Sequence, residues 1–163
     1  MKTLTIRHLT LGSGQPKIAV PLVARDEAAL SAALKNLEHA CFDIIEFRAD
    51  YFAQADNPEY LLTQAAAVRR SFPENPLLFT FRRAEEGGEY PCSKAYYFEL
   101  LDKAAVSGII DIIDIELSAG ESEVRQAVAA AKAHKTAVLM SNHDFHQTPA
   151  KSDITGRLKK TCL

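Results

Sequence analysis

The stretch Val138–Pro149, VLMSNHDFHQTP, gathers side chains that could move protons. Val138, Leu139 and Met140 read as a short apolar strand. Ser141, Asn142, His143, Asp144, Phe145 and His146 follow, before Thr148 and Pro149 break the pattern. A strand that fixes geometry and presents chemistry at its C-terminal end is the layout of parallel-sheet active sites. His143 is therefore a candidate general acid/base, because an imidazole ordinarily titrates near about 6.5. The plainer alternative is a hydrogen-bonded, inert histidine at a strand end. A metal trio of His143, Asp144 and His146 is disfavoured, since positions 143 and 146 have opposite parity on a strand and do not share a face.

Charged residues also close the other apolar strands. In DIIEFRAD (43–50), period two places Ile44, Glu46, Arg48 and Asp50 on one face, with Ile45, Phe47 and Ala49 on the other. Charges on so buried-looking a strand need partners or a wet cavity. LLFTFR (77–82) runs into RAEEGGE, which offers Arg82, Arg83, Glu85 and Glu86 beside Gly87-Gly88. IIDIIDIEL (109–117) carries Ile110, Ile112, Asp114 and Glu116 on one face. Its two acids read either as supporting groups or as buried carboxylates paired with Arg48. Glu46, Arg48, Arg82 and Glu86 thus join His143 at one end of the expected sheet. A structural ion-pair network at the rim is the competing explanation.

The elements that must position these residues alternate in type. Strands are expected at 17–23, 43–48, 76–82, 109–117 and 136–142. Between them lie a helix capped by Asp26 and running to Leu37, and helices over 58–70, 94–106 and 121–133; another begins at Asp153 and runs to Lys160. Pro21 inside the first strand suggests a sheet edge or a local distortion. Residues 3–17 read as an N-terminal hairpin turning at Gly12-Ser13-Gly14, placed over the N-terminal ends of the strands. Such alternation means βαβ units and a parallel sheet. The first strand–helix turn, ValAlaArgAsp, has no glycine for phosphate, unlike a doubly wound nucleotide fold. An α/β fold of the (β/α)₈ barrel type fits better, since several strand ends then converge. A whole barrel takes about 250 residues. The 163 residues here suffice for about five βα units and the hairpin, as one partial barrel domain over 1–163.

Composition narrows the partners. Apolar residues make up 47% and charged residues 25%, ordinary for a soluble domain, and the net charge of −2 gives no electrostatic case for nucleic acid or an anionic membrane. No apolar run approaches the length of a membrane span, and the N-terminus lacks the apolar core of a secretory signal. Cys41, Cys92 and Cys162 form no CxxC pair and have no histidine-and-acid context. Reduced thiols in a cytoplasmic protein are the expectation, with no thiol nucleophile.

Five segments make the chain resemble a known family: KIAVPLVA (17–24), FDIIEFRADYF (42–52), PLLFTFRRAEEGGE (76–89), DIIDIEL (111–117) and VLMSNHDFHQTP (138–149). Together they resemble the type I 3-dehydroquinate dehydratases, closely so the enterobacterial examples. The resemblance implies a lyase of the shikimate pathway, in aromatic amino acid biosynthesis. It would dehydrate 3-dehydroquinate to 3-dehydroshikimate through a lysine imine, with no cofactor and no metal. His143 matches the family's proton-abstracting histidine, and Glu86 the carboxylate that orients it. Glu46, Arg48 and Arg82 match groups that hold the hydroxylated ring. The family's imine lysine lies on a sixth strand, and Lys151, Lys159 and Lys160 do not match it. The chain is accordingly expected to be C-terminally truncated, without strands six to eight. The expected partner is the substrate alone, with a homodimer usual in the family and self-association open to this chain. A catalytically inactive remnant acting only by association is the alternative.

Overall fold

The computed structural model describes residues 3–161; Cys162 lies outside them. β1 (Leu4–Ile6) and β2 (Leu9–Leu11) pair antiparallel, with Ile6 opposite Leu9. The chain reverses at Arg7-His8 rather than at the glycines expected. A two-residue hairpin loop calls for positive φ, and Arg7 adopts 53°. Gly12 and Gly14 instead lie in the connection to the main sheet.

That sheet consists of β3 (Ala19–Leu22), β4 (Ile44–Arg48), β5 (Leu77–Thr80), β6 (Ile112–Glu116) and β7 (Ala137–Ser141). All neighbours are parallel, in the order β3-β4-β5-β6-β7. The helices are α1 (Glu27–Leu37), α2 (Pro58–Ser71), α3 (Lys94–Val106), α4 (Glu121–Ala133) and α5 (Lys151–Lys160). This is an α/β fold consistent with part of a (β/α)₈ barrel. Pro21 sits on β3, an edge strand of the described sheet, where its missing N–H interrupts no second ladder. The strands are shorter than the apolar runs. At the start of β6, for example, the Asp111 carboxylate accepts from Leu77 N at 2.8 Å.

Helix starts follow from their caps. Asp26 accepts from Ala29 N at 2.8 Å, Asn57 from Tyr60 N at 3.1 Å and Ser93 from Tyr96 N at 3.1 Å. Strand parity then divides the interior in two. Ile45, Phe47, Leu77, Phe79, Ile113 and Ile115 face outward into the helix-covered core. Ile44, Leu78 and Ile112 point to the opposite face, where Ile6 and Leu9 of the hairpin cover them. The hairpin, spanning Leu4–Leu11, therefore plugs the N-terminal end of the sheet. Arg7 latches it there: its Nε donates to both Asp111 oxygens, at 2.8 and 2.9 Å, and its Nη1 to Pro73 O at 2.9 Å. With that end closed, the inward face is left to polar residues at the other.

Candidate active site

On β4, β5 and β6 the inward positions beyond the apolar plug carry polar groups, whereas Pro21 on β3 and Leu139 on β7 are apolar. On β4, Glu46 and Arg48 point inward, and Arg48 forms a two-pronged pair with Asp50, at 3.0 and 2.9 Å. Asp50 is buried and also accepts from Glu89 N at 3.3 Å. The Arg48 guanidinium lies 4.7 Å from the centre of the Tyr51 ring. Burial works against its charge, but the bonds to Asp50 outweigh this and push its pKa up.

Beyond β5 the chain carries three of the charged groups. Arg82 Nη2 donates to Asp114 Oδ2 at 3.1 Å, and its Nε lies 3.4 Å from Glu116 Oε1. Arg83 binds Glu116 twice, through its backbone N at 2.9 Å and its Nε at 2.7 Å. Its Nη2 reaches Ser118 Oγ at 2.7 Å. Glu116 N in turn donates to the Tyr97 hydroxyl at 3.0 Å, which ties α3 to the site. Burial raises the Glu116 pKa; Arg83 pulls it back down, and the nearby Glu86 charge adds to the rise.

Glu86 is the junction, on a 3-10 turn at Ala84–Glu86, and is 3% exposed. Its Oε2 lies 2.9 Å from His143 Nδ1 and accepts from His143 N at 2.8 Å. Its Oε1 accepts from Ser118 Oγ at 2.5 Å and Asn142 Nδ2 at 3.1 Å. With Glu86 ionised its oxygens can only accept, so in the neutral imidazole Nδ1 carries the hydrogen and Nε2 the lone pair. Among the described residues Nε2 makes no hydrogen bond, and the side chain is 29% exposed. This is the geometry of an oriented general base. Phe145 stacks on the imidazole, with ring centroids 6.1 Å apart. The Asp144 carboxylate is engaged in its own loop, accepting from His146 N and Gln147 N, both at 3.1 Å.

Among the described residues, four buried polar atoms have no hydrogen-bond partner: Thr80 Oγ1, Arg82 Nε, Asp114 Oδ1 and Ser141 Oγ. All belong to inward positions on, or just past, three adjacent strands. Unsatisfied buried groups are costly. Their concentration on one face leaves donors and acceptors there for water or a polar ligand. Burial pushes the Cys92 thiol up to about 11, so it is not a thiolate near neutral pH.

The loop that delivers Glu86 depends on Gly88. A Cβ there would stand 1.8 Å from the Arg82 carbonyl oxygen, a backbone atom with nowhere to go. Gly88→Ala is therefore expected to displace the 83–88 turn and detach Glu86 from His143. It should lower the melting temperature by several degrees, as a loss of about 1–3 kcal/mol does. It should also shift the His143 ring resonances. A variant with wild-type melting and an unchanged imidazole spectrum would count against this.

Residues 18–162 match the family model of type I 3-dehydroquinase. The chain belongs to that family. It is 52% identical over 158 residues to 3-dehydroquinate dehydratase of Neisseria gonorrhoeae, covering 97% of this chain and 62% of that relative. The Shigella boydii enzyme of the same name is 46% identical over 160 residues, covering 98% and 64%. The structure superposes on type I 3-dehydroquinate dehydratase of Clostridium difficile with a TM-score of 0.94 at 35% identity, over 99% of this chain and 63% of that one. For the Geobacillus kaustophilus 3-dehydroquinate dehydratase the TM-score is 0.92, at 28% identity over 98% and 62%. The chain thus spans about 62% of the length of the curated relatives first matched.

Of the residues singled out from sequence, His143 and Glu86 are in direct contact. Glu46, Arg48 and Arg82 lie on the same inward face but bond to neither of them. The Asp114 and Glu116 carboxylates pair with Arg82 and Arg83, not with Arg48, because Arg48 is taken by Asp50. Sequence reasoning missed Ser118, Asn142 and the central part played by Arg83. Asn142 lies within the polar cluster itself and also accepts from Arg157 of α5. Ser118 follows DIIDIEL without any signal of its own.

Proposed function

We propose that this chain carries the base and part of the substrate cradle of a 3-dehydroquinate dehydratase. The reaction is elimination of water from 3-dehydroquinate to give 3-dehydroshikimate, a lyase step of the shikimate pathway. The observation that carries this reading is the Glu86–His143 pair, with Nε2 free as a base. His143 would take the proton from the carbon beside the substrate ketone and return one to the departing hydroxyl. Glu46, Arg48 and Arg82 would hold the ring hydroxyls, and the four unpartnered atoms beside them would find partners there. The acidity of that carbon would come from an imine between the ketone and a lysine, which no residue matched here supplies. A cytoplasmic location and a homodimeric whole protein accompany the reading.

Titration with 3-dehydroquinate, followed by the His143 and arginine side-chain resonances, tests it. Saturable shifts with a weak, roughly millimolar Kd are expected. Arg82→Ala should weaken binding about tenfold, as loss of one charged hydrogen bond does. Shifts that never saturate, or that ignore Arg82→Ala, would remove this reading.

A second reading, association without catalysis, draws on the sheet's sides. Ile18, Val23 and Leu139, flanking or within β3 and β7, are 56%, 43% and 45% exposed. Exposed strand edges with apolar flanks recruit other chains. Sedimentation of the 163-residue polypeptide should show mass rising with concentration. A monodisperse monomer with a sharp two-state melt would rule association out.

A further inference from the structure

Ser118 stands between two charges that never touch. Its Oγ accepts from Arg83 Nη2 at 2.7 Å and donates to Glu86 Oε1 at 2.5 Å. The Arg83 guanidinium is itself held on Glu116 through Nε at 2.7 Å, while the Arg83 backbone N–H occupies the other Glu116 oxygen. The hydroxyl therefore polarises along one line, from cation to carboxylate, and such chains strengthen each member. The opposite oxygen of the same carboxylate receives the His143 Nδ1 hydrogen and the His143 backbone N–H. Whatever negative charge Oε1 gives up to Ser118 is charge that Oε2 does not offer to the imidazole.

We propose that Ser118 is a positioning residue that couples Arg83 to Glu86 and so limits how strongly Glu86 draws on the His143 Nδ1 hydrogen. The pull at Nδ1 sets the electron density, and hence the base strength, at Nε2. The inference rests on reading His143 as the base. The other charged groups around the imidazole leave this role to Ser118. Asp144 is held by its own loop, and Arg157 reaches the site only through Asn142. Glu116 faces Arg83 rather than the imidazole. Asn142 also donates to Oε1, at 3.1 Å, from an amide whose Oδ1 accepts from Arg157; it is the longer of the two relays, and Ser118 at 2.5 Å is the tighter one. Ser118 is otherwise exposed, so its replacement leaves the core intact.

The test is the proton resonance of His143 Nδ1–H in the ligand-free 163-residue chain, which requires neither substrate nor turnover. Charge-assisted hydrogen bonds are shorter and stronger as the acceptor gains charge, and their protons resonate further downfield. Ser118→Ala and Ser118→Val should move that resonance downfield by well over its line width. Ser118→Thr, which keeps the hydroxyl and matches valine in shape, should leave it near the wild-type position. An unmoved or upfield-shifted resonance in the alanine and valine variants would overturn the proposal, as would threonine behaving like valine. Circular dichroism confirms that each variant is folded. Failure of 3-dehydroquinate to bind would strike at the function proposed above and leave this measurement untouched.

Discussion

Treated with 3-dehydroquinate and borohydride, a polypeptide of these 163 residues is expected to gain no substrate-sized mass and to show no measurable turnover. Trapping requires an amine close to the substrate ketone. The lysines of the described residues lie elsewhere: Lys35 on α1, Lys94 and Lys103 on α3, Lys132 and Lys135 at the end of α4, and Lys151, Lys159 and Lys160 on α5. Lys17 precedes β3. Lys94 pairs with Glu123, and Lys103 with Glu99. Among the described residues no lysine bonds to Glu46, Arg48, Arg82, Glu86 or His143. Without an imine, proton removal must pass through an unassisted enolate. General base catalysis alone contributes about 10²–10⁴-fold, against the 10⁶-fold or more usual for enzymes. A shortfall of at least about 10²-fold follows, and binding should outlast catalysis. Supplying the later βα units of a relative as a second polypeptide is expected to restore turnover. An adduct on Lys151, Lys159 or Lys160, with turnover abolished by His143→Ala, would show that another lysine has taken the role.

Replacing Arg83 by leucine should be the most damaging single change to the site's framework. It leaves Glu116, 1% exposed, without its closest cation. Removing one partner of a buried pair costs about 3–5 kcal/mol, a large share of the 5–15 kcal/mol that holds a domain together. The loss should depend on pH in a definite direction. In the intact protein burial already raises the Glu116 pKa, and the Arg83 bonds oppose that rise. Take them away and the folded-state pKa climbs further above its unfolded value. A carboxyl raised in the folded state favours folding below the unfolded pKa, and that benefit fades as pH rises through the folded one. The deficit of Arg83→Leu relative to wild type should therefore be smallest in acid and grow toward neutral pH. Urea unfolding of both proteins at several pH values between 4.5 and 7.5 measures it, and the difference cancels the carboxylates common to both. A deficit that shrinks as pH rises would contradict the assignment of Glu116 as the stranded charge.

Much of this was legible because strand parity is strict. DIIEFRAD separates into Ile45, Phe47 and Ala49 against the helices and Ile44, Glu46 and Arg48 within, with no knowledge of its neighbours. Asp26, Asn57 and Ser93 likewise announce their helices locally. Partners across strands were not legible. Whether Asp114 meets Arg48 or Arg82 depends on which strands are adjacent and on Asp50 taking Arg48 first. The part played by Arg83 was hidden for a related reason. Its parity is opposite to that of Arg82, yet the 3-10 turn at Ala84–Glu86 ends the strand geometry and brings it to Glu116 and Ser118. The reversal at Arg7-His8 was hidden because a residue other than glycine accepts positive φ there.

Each strand of the main sheet pairs with the one synthesised just before it, since the spatial order β3-β4-β5-β6-β7 is also the chain order. A nascent chain can therefore add one βα unit at a time to a growing edge as it leaves the ribosome, without waiting for distant segments. The Glu86–His143 pair forms on a different schedule. Glu86 and His143 are separated by 57 positions. At about 5–20 residues per second, roughly 3–11 s pass between their synthesis. In that interval Ser118 emerges first, and it can engage the waiting carboxylate before the imidazole exists. The order of translation thus makes the Ser118 hydroxyl available to Glu86 before the imidazole is made.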